Sequence, residues 1–288
     1  MVFRRPAPAS RGRRGFGDRR ARFWVYGLLI AFLLGSAFPL YWSFLVASRD
    51  PSMLTQKVPP LLPGGNFIHN ASRVFDTVAF WRALGNSVIV GVTVTVTTVF
   101  FSTLAGFAFA KLRFRGRNAL FVFVVATLAV PTQLGIIPLY IAMGRLGWTG
   151  TLWSVMVPNL VTALGVFWMR QYTMQVVPYE LIEAARVDGC SMIRTYWHVC
   201  LPAVRPAAAF LAMFTFMTSW NDFMWPLIVL SADNPTVQVA LEKLQSGYYV
   251  DYSLVLAGTT LATIPILIIL VLLGRQIVAG IMQGAVKG

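Results

Sequence analysis

Six apolar runs divide this chain, at residues 23–47, 84–110, 118–144, 151–169, 206–230 and 254–274. Each is close to or above the roughly 20 residues that a helix rising 1.5 Å per residue needs to cross a bilayer core of about 30 Å. The pattern predicts an all-α polytopic membrane protein with six transmembrane helices. A basic N-terminal segment, 1–22, precedes a six-span domain over 23–288. The second run holds Val92-Thr93-Val94-Thr95-Val96-Thr97-Thr98-Val99, which would read as a strand in water. A lone strand in lipid leaves its backbone groups unpaired, so a helix is expected. Threonine hydroxyls can also bond the carbonyl one turn back. Pro131 and Pro138 are expected to kink the third run. The strict alternation over about 10 residues that marks an outer-membrane barrel is absent from the sequence.

Charge orients the spans. Of the 24 Lys and Arg residues, eighteen fall at the ends that hold the N-terminus, residues 111–117, the central polar segment and the C-terminus. Six fall at the opposite ends. This threefold bias places both termini and the central segment in the cytoplasm. It also changes the meaning of the net charge of +14. A nucleic-acid partner is not expected, because the arginines before Phe23 anchor the first span against anionic inner-leaflet lipid. The first run is also too long for the h-region of a cleaved signal peptide, which is about 7–15 residues. Hydrophobic residues make up 57% of the chain, above the roughly 45–50% of a soluble domain. The outer segments are residues 48–83, turn-rich through Pro59, Pro60, Pro63, Gly64 and Gly65, and residues 231–253.

Between the fourth and fifth runs lies a long polar stretch, and its core, residues 178–202, has the punctuation of two short helices. Pro178 suits a first helical turn. Glu180 and Glu183 favour the positive end of a helix dipole. Gly189 suits a C′ position with positive φ, Ser191 can cap a second helix, and Leu201-Pro202 is expected to end it. Ala184 and Ala185 give a narrow helix able to enter a cleft. Glu183 and Asp188 offer carboxylates to an Arg or Lys on its wall.

At these residues the chain resembles the permease subunits of ABC importers of the carbohydrate-uptake class. Their Glu-Ala-Ala, Asp-Gly and Leu-Pro signature stands here as Glu183-Ala184-Ala185, Asp188-Gly189 and Leu201-Pro202. Cys190 replaces the usual Ala, and Tyr196 the frequent Phe. Residues 220–227, Trp-Asn-Asp-Phe-Met-Trp-Pro-Leu, and the ending Gly280-Ile281-Met282-Gln283-Gly284-Ala285-Val286-Lys287-Gly288 are similar to further motifs of sugar permeases like the second membrane subunit of the maltose system. The resemblance implies a type I importer permease in the inner membrane of a bacterial cell. In such a complex, residues 178–202 dock in a groove of a cytoplasmic ATPase dimer, and the tail at 284–288 reaches into that dimer. It further implies a homologous second permease subunit, a solute-binding protein outside the membrane, and ATP and magnesium held by the ATPase. The cargo is expected to be a sugar or oligosaccharide, with a glycerol phosphate derivative as the alternative.

The chain lacks chemistry of its own. None of Lys57, Lys111, Lys243 and Lys287 stands in a phosphate-loop pattern. No nucleophile elbow or paired-carboxylate site appears, Cys190, Cys200 and His198 lack zinc spacing, and no cofactor or metal is expected. A transport subunit rather than an enzyme is expected. Asp222 is the clearest ionisable residue within a run, roughly 24 Å from the start of its span at 1.5 Å per residue. With Trp220, Asn221 and Trp225 it offers aromatic faces beside hydrogen-bonding groups, a mixture suited to a sugar. The same residues could instead tie helices together, with the tryptophans in the interfacial belt. Gln133, near Pro131, is a weaker pathway candidate. An ion-coupled secondary transporter would want several intramembrane carboxylates or broken helices, and a membrane scaffold would need no ATPase at all.

Overall fold

The structure, a computed structural model, describes residues 17–55, 61–246 and 248–285. All regular elements among them are helical. Four helices are long and apolar enough to cross a membrane: Phe23–Ala47, Phe80–Lys111, Met192–Trp220 and Tyr252–Leu272. The first lies within α1 (Gly17–Ala47) and the second is α3 (Phe80–Lys111), preceded by the short amphipathic α2 (Phe67–Thr77). The Thr-rich run is helical inside α3. Thr97 Oγ1 in this run donates back to Thr93 O at 2.7 Å, and Thr103 Oγ1 one turn beyond it donates to Val99 O at 2.8 Å.

The third and fourth runs are not single straight helices. α4 (Arg117–Ala126) and α5 (Ile136–Arg145), each with an added 3-10 turn, meet at a 93° bend. Pro131 sits at the break with extended backbone (ψ 126°). Pro138 falls in the first turn of α5, where its missing N–H has no intrahelical partner to lose. The run 151–169 divides into α6 (Trp153–Met156), a 3-10 turn and α7 (Ala163–Val176). Thr162 caps α7, its hydroxyl accepting from Gly165 N at 3.1 Å. The carbonyls freed at this break are recovered from α3: Thr98 Oγ1 donates to Asn159 O at 3.0 Å. An irregular backbone buried against protein in this way is tolerated at membrane depth. Among the described residues four helices are therefore long and apolar enough to cross a membrane, or five if the bent pair is one span, where the apolar runs suggested six.

The Leu201-Pro202 stop is also corrected. α8 (Tyr179–Val187) is followed by α9 (Met192–Thr195), a π-helical turn over Tyr196–Cys200 and α10 (Leu201–Trp220), which form one continuous helix. A proline ring inside an α-helix clashes with the carbonyl four residues back. The wider π turn immediately before Pro202 changes that register and lets the helix continue. The fifth helix thus starts at Met192 and stops at Trp220, and α11 (Met224–Val229) follows a three-residue break. α12 (Val237–Lys243) and the long α13 (Tyr252–Ala285) complete the chain.

α3 is the central post, packed by α7 and α10, while α13 packs on α10, α1 and α2. Glycines set the close approaches. A Cβ at Gly106 would lie 2.8 Å from the backbone of Met169 and Arg170, and one at Gly91 2.8 Å from the Phe216 ring. The end opposite α8 is tied by polar contacts, among them the Arg73–Asp251 ion pair at 2.7 Å and the Asn86 amide donating to Asn234 Oδ1 and Pro235 O, each at 2.9 Å. α1 differs from the rest. From residue 23 onward, only its last residues, Leu45 to Ala47, are buried, and most of its apolar surface before them faces outward.

Candidate coupling surface and pathway residues

α8 begins after Pro178, which takes the extended N-cap position (φ −61°, ψ 153°), one residue outside the helical turn expected for it. Glu180 lies in the first turn, at the positive end of the helix dipole. The helix then sorts its side chains at the spacing of 3.6 residues per turn. Ile182 and Ala185 are buried, while Glu180, Glu183, Ala184 and Val187 face outward. The two alanines of the motif therefore do different work. Ala184 keeps the outer face flat, and Ala185 lets α8 sit close to the core.

Gly189 ends the helix with φ +75°. Its N–H donates to Arg186 O at 3.0 Å, and Cys190 N–H to Ala185 O at 2.8 Å, the two bonds of a Schellman motif. Nothing lies within 4 Å of where a Gly189 Cβ would stand, so glycine is required by the backbone angle and not by lack of room. Ser191 Oγ then accepts from Arg194 N at 3.3 Å and starts α9. Asp188 and Gly189 are exposed at the tip of this bend.

Beneath that surface the segment is anchored to three helices. Ile182 packs in one cluster with Phe107 of α3, Met169 of α7, and Tyr196, Cys200 and Val204 of the helix that follows; Leu201 packs against the same cluster. Tyr196 is buried, and its hydroxyl meets Thr103 Oγ1 of α3 at 2.7 Å. That partner explains how a tyrosine is accommodated where phenylalanine would need none. Tyr179, at the start of α8, donates its hydroxyl to Lys111 O at the end of α3, at 2.8 Å. Pro202 itself is exposed. A force applied to α8 thus reaches α3, α7 and α10 through side chains already in contact.

Sequence reasoning overlooked two surface residues and three anchors. Val187 is 88% exposed and Ile193 71%, on either side of the Gly189 bend. Large apolar residues beside a charged tip, in a segment that otherwise faces water, are the signal that marked them. The anchors Ile182, Tyr179 and Tyr196 are ordinary buried or half-buried side chains, and only their packing distinguishes them. Of the tail, Gly284 and Ala285 close α13, while Val286, Lys287 and Gly288 lie outside the described residues.

The pathway candidates separate. Trp220 is 1% exposed, and its Nε1–H donates to Ala262 O at 3.2 Å. Trp225 is buried in a different cluster, with Nε1–H on Ser154 O at 2.9 Å. Both indoles therefore join helices to one another. Asn221 and Asp222 occupy the break between α10 and α11. Asn221 is exposed and donates to Met217 O at 2.8 Å, and Asp222 is half-buried. Gln133 is exposed on the 3-10 turn at the 93° bend, on a separate element.

An all-helical fold, with several helices long and apolar enough to cross a membrane and a bent, exposed segment packed on the central ones, defines the class as a multi-pass membrane protein. Residues 99–283 match the family described as the binding-protein-dependent transport system inner membrane component, and the chain belongs to that family. It is 33% identical over 270 residues to an arabinooligosaccharides transport system permease protein of Halalkalibacterium halodurans, covering 92% of this chain and 96% of that one. A lactose transport system permease protein of Rhizobium radiobacter is 33% identical over 260 residues, covering 90% and 93%. An sn-glycerol-3-phosphate transport system permease protein of Yersinia pestis is 30% identical over 265 residues, covering 89% and 94%. In structure the chain is similar to one from a bacterial ABC transporter that imports the acidic polysaccharide alginate, with TM-score 0.76 at 23% identity over 92% of this chain and 99% of that one.

Proposed function

We propose that this chain is one of two homologous membrane subunits of an ATP-driven importer and passes a sugar or oligosaccharide, delivered by an external binding protein, into the cytoplasm. The observation that carries this reading is α8: an outward face of Glu183, Ala184 and Val187, a Schellman bend at Gly189, and buried anchors to α3, α7 and α10. A surface of that form suits a groove on a separate ATPase, which would hold the ATP and magnesium. The threefold charge bias supports a cytoplasmic position for α8 and both termini. The basic segment 1–22 then precedes a permease domain over 23–288, with the divided runs 118–144 and 151–169 completing six crossings. The named cargoes of relatives covering about nine-tenths of the chain support a carbohydrate. The glycerol phosphate permease among them supports the alternative cargo. With both indoles engaged in helix contacts, Asn221, Asp222 and Gln133 remain as the side chains for the cargo route.

The test is uptake by cells that express the full system. Uptake that stops on ATP depletion and persists after the proton gradient is collapsed supports the proposal. The reverse pattern would assign an ion-coupled secondary transporter, and normal uptake without any co-purifying ATPase would overturn the role given to α8.

A further inference from the structure

A second feature at the α8 end is not used by the coupling reading. Lys111 at the end of α3, Arg113 and Arg115 in the loop after it and Arg117 at the start of α4 form no ion pair among the described residues. Arg117 is held by donation to Leu112 O at 3.1 Å. An open cleft of about 320 Å³ lies here, lined by Arg113, Phe114, Gly116, Arg117, Asn118 and Ala119. The first turn of α4 supplies no acidic side chain to neutralise it. From Ala119 an outward apolar ridge continues along α4 through Val122 and Phe123, 65% and 68% exposed. Uncompensated cations around a cleft, continuous with an apolar ridge along a membrane helix, match one molecule on both counts: a phosphate headgroup with acyl chains attached.

We infer that this cleft binds an anionic phospholipid, with the headgroup phosphate between Arg113 and Arg117, which line it, and its chains along α4. The site touches the coupling segment. Arg113, which lines the cleft, also lies over the Tyr179 ring, 5.6 Å from its centroid, and Lys111 lies over the same ring at 5.5 Å. Tyr179 opens α8, so lipid at the cleft braces the helix on which the ATPase is proposed to dock. This regulatory consequence rests on the proposed function, whereas lipid binding itself does not.

The test is native mass spectrometry of the complete chain, released from bilayers of phosphatidylcholine mixed with phosphatidylglycerol. The wild type retains phosphatidylglycerol. Arg113→Gln with Arg117→Gln lowers retention at least about tenfold. Arg113→Lys with Arg117→Lys, which preserves charge and membrane orientation, keeps it, as does Arg145→Gln at the opposite end. Soluble glycerol phosphate, a headgroup without chains, leaves the retained lipid in place. Equal retention in the glutamine variant and the wild type would overturn the inference, and displacement by glycerol phosphate would reassign the cleft to a soluble anion. Because retention is read on this chain alone, its failure is distinct from failure of the ATPase to dock.

Discussion

Replacing Gly189 by asparagine, alanine and proline grades the bend after α8 by backbone cost alone, because no neighbour lies within 4 Å of an added Cβ. The glycine sits at φ +75°. Asparagine visits this region readily, while alanine there costs about 1–2 kcal/mol. One or two kcal/mol changes the ratio of native to distorted bend by roughly 5–30-fold. Proline cannot comply at all. Its ring fixes φ near −65°, and it removes the N–H that donates to Arg186 O at 3.0 Å. It also disfavours the near-helical ψ of 6° at Asp188. The rest of α8 stays fixed, since Ile182 is 1% exposed and its burial is worth about 1.5–3 kcal/mol. The assay pairs ATP hydrolysis with solute uptake for the reconstituted complete transporter. Asparagine should behave nearly as wild type, alanine should lower uptake several-fold, and proline should abolish uptake while hydrolysis continues. Equal uptake by the alanine, asparagine and proline variants, at matched expression, would refute the argument that the positive-φ bend transmits the stroke.

Three further outcomes follow from the packing. Gly106→Val should separate α3 from α7, because a Cβ there already meets the Met169 and Arg170 backbone at 2.8 Å; a fall in the thermal unfolding midpoint and in yield checks this. Ile182→Ala should destabilise the seat of α8 by about 2–5 kcal/mol and loosen ATPase association before it affects membrane insertion, as read by detergent-resistant co-purification. Asp222→Ala should change uptake in a cargo-dependent way while leaving stability near wild type; uniform loss for every cargo together with a lowered unfolding midpoint would make Asp222 a structural residue.

The α8 bend was legible in the sequence because its determinants are local. An acidic first turn, a glycine at C′ and a serine cap act within a few residues of themselves, and each performs as its chemistry dictates. The helical state of the Thr-rich run was legible for a different reason, since lipid removes the alternative. The breaks within apolar runs were hidden because both sides of each break are equally apolar. Pro131 announced a kink but not a 93° turn, and the interruption at 157–162 depends on Thr98, some sixty positions earlier, to receive its freed carbonyls. Leu201-Pro202 misled because a π turn, which has no sequence signature of its own, absorbs the proline. The division of labour between Ala184 and Ala185, and the engagement of Trp220 and Trp225 with backbone carbonyls of other helices, are properties of packing.

The central claim is that α8 is the surface on which a separate ATPase acts, and a cross-link from its exposed tip tests this most directly. Val187→Cys, in a Cys190→Ala background that removes the one partly accessible native thiol, places a reactive group at a side chain 88% exposed. In membranes containing the whole system, this thiol should cross-link to the ATPase subunit with a yield that changes on adding ATP, while Arg145→Cys at the opposite end should give no such product. Cross-linking from Arg145→Cys instead, or modification of Val187→Cys only by reagents confined to the external face, would contradict the account.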